Sequence, residues 1–139
     1  MNVVDAAKAA AFTGRFVLLS GMGSELPSFT GRLVNAIKGD LQRNQRDRDA
    51  YLRNSELEWS IGRGGILTDE PGGRADIRIT PPTNRLSLFR RLARADFARA
   101  LIAAADSPSA SMRMFDVFNA AGSPPTDKEL AERLEATGA

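Results

Sequence analysis

Residues 15–20, RFVLLS, constrain this chain more than any other stretch. Phe16, Val17, Leu18 and Leu19 follow one another without a polar residue, so the strand they form has no side to offer to water. Such a strand is expected inside a parallel sheet with helices on both faces. The remaining pattern supplies those helices. Residues 2–11, NVVDAAKAAA, are alanine-rich, begin with a capping Asn2 and stop before Gly14, which predicts a short helix. After a loop at Gly21-Met22-Gly23-Ser24, Pro27 and Ser28 open a second helix whose apolar positions Phe29, Leu33, Ile37 and Leu41 recur every four residues. Residues 42–49, QRNQRDRD, hold nothing apolar before Tyr51 and Leu52. They read as the solvated part of one exposed helix, broken near Gly39.

Residues 57–61, LEWSI, predict a second strand that the glycines of 62–65, GRGG, bring to an end. A short strand is expected over 75–79, with 86–89 as its partner. Asp96 falls in the first turn of a helix running to about Ala105, with Phe97, Leu101 and Ala105 on a shared face. Residues 112–118, MRMFDVF, alternate as a last strand, and Thr126 with Glu129 has the spacing of a capping box opening a terminal helix. No internal repeat or linker interrupts the order. It predicts a single α/β domain over residues 1–139, built as a layered sheet.

Composition removes whole classes of chemistry. The chain has no cysteine and no histidine. Disulfides, thiolate nucleophiles, sulfur- or imidazole-bound metals and a Ser–His–Asp triad are therefore out of reach, and no metal site is expected. Catalysis would have to run through Ser, Tyr, Lys, Arg, carboxylates or a bound cofactor. The net charge is only +2, and the arginines are interleaved with Asp and Glu along the chain, so no nucleic-acid partner is expected. Nothing approaches the roughly 20 apolar residues of a membrane span, and the N-terminus lacks a basic-then-apolar leader, which predicts a cytoplasmic protein without a membrane partner.

Three places could carry chemistry. Gly21 and Gly23 form a G-x-G after the first strand, but Leu26 stands where a dinucleotide loop needs its third glycine, and an ordinary strand-to-helix turn explains them better. Ser20 ends the first strand, where ligands bind in open α/β sheets, or it simply caps the strand. Arg63 closes the second strand beside Gly64 and Gly65, which permit close backbone approach. It can meet a phosphate or carboxylate, or pair with Asp69 or Glu70. The lone tyrosine, Tyr51, has Ser55 and no lysine four residues on, so a Tyr–Lys proton-transfer pair is absent.

Four stretches taken together carry a resemblance: DAAKAA…RFVLLS at 5–20, YLRNSELEWSIGRGGILTDEP at 51–71, LARADFARALIAAAD at 92–106 and MFDVFNAAG at 114–122. In order and spacing they resemble the C-terminal half of atypical short-chain dehydrogenase/reductases, in the NAD(P)H-binding, flavin-reductase-like or epimerase-like group. The resemblance implies a partial Rossmann-type, doubly wound sheet lacking the first strands and the glycine-rich loop. It implies NAD(P)H as cofactor, with an incomplete site in this chain. Ser20 matches the serine beside the nicotinamide and Gly21 the second position of that motif, with Met22 following on the substrate side. Arg63, Gly64, Gly65 and Ile66 match the R-P-G-x loop near the nicotinamide ribose and substrate, and Arg94 and Asp96 match a helix start at the pocket rim. Proline is replaced by Gly64 in that loop, and Leu41 and Gln45 stand where classical members carry Tyr and Lys.

The function this implies is that of an NAD(P)-binding oxidoreductase-like protein, truncated, contributing the nicotinamide- and substrate-side walls of a site for a small-molecule substrate. The alternatives are an interaction module that pairs through an open sheet edge, with a copy of itself or with a separate N-terminal half, and an inactive gene fragment.

Overall fold

The computed structural model describes residues 3–22, 41–83, 87 and 89–138. The helix expected from Pro27 through Ile37, the break near Gly39 and the positions of Gly23 and Leu26 lie outside these residues. In chain order the elements are α1 (Val3–Ala9), β1 (Phe16–Gly21), α2 (Leu41–Arg53), β2 (Trp59–Gly64), β3 (Ile66–Thr68), β4 (Asp76–Thr80), β5 (Arg91–Ala93), α3 (Arg94–Asp106), a 3₁₀ turn (Pro108–Ala110), β6 (Arg113–Ala120) and α4 (Asp127–Ala136). Four strands form one sheet in the order β1-β2-β6-β4, and β3 and β5 form a separate parallel pair. β1, β2 and β6 run parallel, and β4 lies antiparallel to β6. The fold is an α/β sheet of Rossmann-like character.

Strand alternation divides the core in two. On one face Val4 of α1 and Leu52 of α2 pack with Leu57, Trp59 and Ile61, joined by Phe16, Leu18 and Met114. On the other, Phe115 and Val117 of β6 and Ile77 and Ile79 of β4 pack against α3 and α4 through Phe97, Ala100, Leu130 and Leu134. The doubly covered strand is β2, buried at every residue. β1 was expected in that place, yet Leu19 is 46% exposed, and among the described strands β1 lies at the end of the sheet.

The glycines after Ile61 do not end β2. Strand pairing continues to Gly64 because α3 lies directly on it: a Cβ at Gly62 would sit 2.4 Å from Leu101 Cδ2, and one at Gly64 2.7 Å from Phe97 Cε1. The strand breaks at Gly65, where a Cβ would fall 2.0 Å from the Arg90 carbonyl oxygen.

α3 begins and ends as its sequence predicts, but its buried stripe is Phe97, Ala100 and Ala104, with Leu101 partly buried and Ala105 exposed. β4 forms where a strand was expected and pairs with β6; of its expected partner 86–89, positions 86 and 88 lie outside the described residues. β3 and β5, three residues each, are too short to leave a period in the sequence. The capping box of α4 is complete: Thr126 N–H donates to Glu129 Oε2 at 2.7 Å, and Glu129 N–H donates to Thr126 Oγ1 at 3.3 Å. Among the described residues no helix is long and apolar enough to cross a membrane.

Candidate functional site

The parallel register sets four polar residues side by side. Ser20 of β1 pairs with Arg63 of β2, Arg63 with Asp116 of β6, and Asp116 with Thr80 of β4. Their side chains share the face covered by α2. The row crosses β1 and β2 one residue before their last paired positions, at the carboxyl end where open α/β sheets take their ligands.

Ser20, Arg63 and Asp116 each have a specific partner. Ser20 is 2% exposed, and its hydroxyl donates to Asp49 Oδ2 of α2 at 2.7 Å. Asp49 is itself buried. Arg63 and Asp116 are both fully buried, with Arg63 Nε donating to Asp116 Oδ1 at 2.7 Å. The other oxygen, Asp116 Oδ2, accepts from the main-chain N–H and the hydroxyl of Thr83, both at 2.8 Å, while Arg63 Nη2 donates to the Thr83 carbonyl. Arginine, carboxylate and the segment after β4 are thus closed into one network. Burial of two opposite charges is tolerable only with hydrogen bonding of this kind.

The structure places the remaining predicted residues as follows. Arg63 pairs with neither acid proposed for it: Asp69 pairs with Arg94, and Glu70 with Arg91 at 3.2 Å. The glycines at 64 and 65 make room for Phe97 and for the Arg90 main chain, so packing within the chain already accounts for them. Ile66 N–H donates to the Arg90 carbonyl at 2.8 Å and Gly65 N–H to Val117 at 3.0 Å, which fixes the bend between β2 and β3. Met22 is buried, its N–H donating to the Gly64 carbonyl at 2.9 Å. Gly21 faces the Gln45 side chain of α2, whose Oε1 lies 3.0 Å from where a Cβ would be. Arg94 is at the surface with Asp69, apart from the buried row.

Asp96 anchors the loop before it. Its Oδ1 accepts from Gly73 N–H at 2.8 Å and its Oδ2 from Asn119 Nδ2 at 2.9 Å, and Asn119 Oδ1 accepts from Ala93 N–H at 2.7 Å. A carboxylate in the first turn of α3 also suits the positive end of the helix.

Two residues of this region, Asp49 and Asp116, were not singled out by sequence, and Gln45 entered there only as the position where classical members carry Lys. Asp49 lies in the polar run 42–49 and reads there as solvated surface. Gln45 lies in the same run. Asp116 had a legible signal, a lone carboxylate within the apolar run MFDVF of 114–118, since a charge in a buried strand needs a partner.

A family described as NAD(P)H-binding matches residues 1–108. The chain belongs to this NAD(P)H-binding family. Among solved structures it is similar to an oxidoreductase of Lactococcus lactis, at 23% identity and a TM-score of 0.73 over 96% of this chain and 56% of that one. A Bacillus halodurans protein assigned to the NAD-dependent epimerase/dehydratases gives 20% identity and a TM-score of 0.71 with the same coverage. A short-chain dehydrogenase/reductase of Veillonella parvula in complex with NADP gives 20% identity and a TM-score of 0.63, over 84% of this chain and 55% of that one. No curated protein matches. The chain thus spans a little over half the length of its structural neighbours.

The groups at the end of β1 are of the kind that would hold the nicotinamide half of such a cofactor. The Gln45 amide, which both donates and accepts, stands against Gly21, and the Ser20 oxygen keeps lone pairs beyond its bond to Asp49. Ribose hydroxyls and a carboxamide ask for that mixture. Arg63 is engaged in the buried network instead.

Proposed function

We propose that this member of the NAD(P)H-binding family is an NAD(P)-dependent oxidoreductase whose chain contributes the nicotinamide- and substrate-side walls of the site. The observation that carries the reading is the buried Ser20–Asp49 hydrogen bond at the carboxyl end of β1. When bound, a reduced nicotinamide supplies the hydride. Ser20 then polarises a small organic acceptor by turning its hydroxyl hydrogen from Asp49 toward the acceptor oxygen, and Asp49 holds the serine in place between turnovers. Gln45 and Gly21 face the ribose. Arg63, tied to Asp116 and Thr83, holds the ends of β2 and β6 in register, and Met22, Gly64, Gly65 and Ile66 shape the wall around them. Arg94, at the rim, is the arginine able to meet an anionic group on the substrate.

NADPH titration followed by nicotinamide fluorescence tests the reading. The wild-type chain is expected to bind, and Ser20→Ala to keep binding while hydride transfer falls by about a hundredfold, the usual loss for one donor to a developing oxyanion. Absence of NADPH binding, both by the chain alone and with the coding sequence upstream of Met1 included, overturns it.

A further inference from the structure

A cavity of about 430 Å³ lies at the amino end of the sheet, where α2 and α4 finish. It is lined by Arg53 from the last turn of α2, Trp59 from the start of β2, Pro82 beyond β4 and Thr137 from the end of α4, together with Met112, Arg113 and Met114 where β6 begins. Its volume is that of pockets that hold small molecules, and none of the residues lining it belongs to β1. Ser20 and Arg63 stand at the opposite, carboxyl end of their strands.

Two hydrogen-bond donors of this lining are unused. Trp59 is 6% exposed, and its indole N–H has no acceptor among the described residues. Arg113 is half-buried, and its guanidinium makes neither a hydrogen bond nor an ion pair among the described residues. The carbonyls at a helix end favour a cation, which accounts for Arg53, but Arg113 donates to none of them. The local backbone nonetheless fixes its place. Met112 N–H donates to the Trp59 carbonyl at 2.8 Å, and Met112 has a φ of +55°, a left-handed conformation that side chains rarely adopt. A Cβ on Gly138 would fall on the Arg113 guanidinium, so only glycine lets the two lie together. A left-handed methionine and a glycine thus hold in position an arginine that pairs with nothing described, the kind of strain that accompanies binding sites.

We propose that this cavity binds a small organic anion, a carboxylate or phosphate ester carried on an apolar body. Arg113 seats the anionic group, since its planar fork of donors matches either oxyanion. Trp59, Met112, Met114 and Pro82 supply the apolar wall for the rest of the molecule, and the methionines adapt to its shape. The lining holds two arginines and no carboxylate, which disfavours a cation in the same space. The site needs no nicotinamide cofactor, so its outcome and that of the NADPH titration are separable.

Trp59 is the only tryptophan of the chain, so its emission reports on this cavity directly. The full chain is titrated with benzoate, with phenyl phosphate and with the neutral benzamide, at constant ionic strength. At least one of the two anions is expected to change the emission saturably and to bind about tenfold or more tightly than benzamide, as one charge-assisted pair requires. A response to benzoate alone identifies a carboxylate ligand, and one to phenyl phosphate alone a phosphate ester. Arg113→Gln is expected to bring the anions down to the level of benzamide with an unchanged far-ultraviolet dichroism spectrum. If Arg113→Gln does not fold, the comparison of anion with benzamide on the wild type decides. Failure of both anions to saturate overturns the proposal. So does benzamide binding as tightly, a folded Arg113→Gln of wild-type affinity, or an anion response that saturating NADP abolishes by competition.

Discussion

Arg63 and Asp116 are each fully buried, and each is tolerable there only because of the other. Cutting Asp116 to Ala strands the guanidinium and two Thr83 donors, and should destabilise the fold by about 3–5 kcal/mol in denaturant unfolding. Replacing both partners with apolar residues, Arg63→Met with Asp116→Leu, should recover most of that loss because no uncompensated charge remains. A double variant as unstable as Asp116→Ala would show that the pair is not what holds the network. Ser20 and Arg63 could be picked out in the sequence because both close an apolar strand. Their partners could not. Asp49 and Asp116 lie 29 and 53 residues away from them, and only strand register and the path of α2 bring them together.

Among the elements, β2 shows how far a local rule carries. Glycine clusters usually end strands, yet Gly62 and Gly64 let α3 rest on the sheet, a close approach that sequence spacing does not encode. The bend at Gly65 is the stricter demand, since its obstacle is the Arg90 main chain and not a side chain free to swing. Gly65→Ala should therefore cost about 3 kcal/mol, at the upper end for overpacking. Gly73→Ala has open space around it, and only its φ of +72° opposes the new side chain, so it should cost about 1 kcal/mol. Thermal or urea melts that rank these two in the reverse order would contradict the packing described. The same packing explains the stripe on α3: Ala104 faces inward and Ala105 outward because the contact follows a real helix of 3.6 residues per turn and not a strict four-residue step.

At the scale of the molecule, one carboxylate joins distant parts of the chain and a second closes the start of the last helix. The Arg15 hydrogen bond to Glu58, aided by Ser111, holds that carboxyl below its ordinary value of 4.5, and the same arginine reaches the carbonyls of Ala104 and Ser107. The Thr126 main-chain N–H, then its hydroxyl, lowers Glu129 in the same direction. A carboxyl more acidic when folded than unfolded stabilises the fold above the unfolded value, and that support drains as pH falls through the lowered folded value. Unfolding midpoints measured from about pH 6 down to about pH 3 should fall, and Glu58→Gln with Glu129→Gln should flatten the decline. An unchanged slope in the double variant would remove these two groups from the acid response.

Four stretches of motif carried the resemblance that the NAD(P)H-binding family bears out, and the pattern of apolar runs and caps by itself determined the α/β class and the places of α3, β6 and α4. These are properties of neighbours in sequence, set by periodicity and capping chemistry. Which strand is buried, which is the edge, and which charges meet were decided only by tertiary structure. The run RFVLLS looks like an interior strand because burial cannot be read from apolarity alone. Its place is set by pairing order, a property of tertiary structure, and among the described residues that order gives β1 the single neighbour β2.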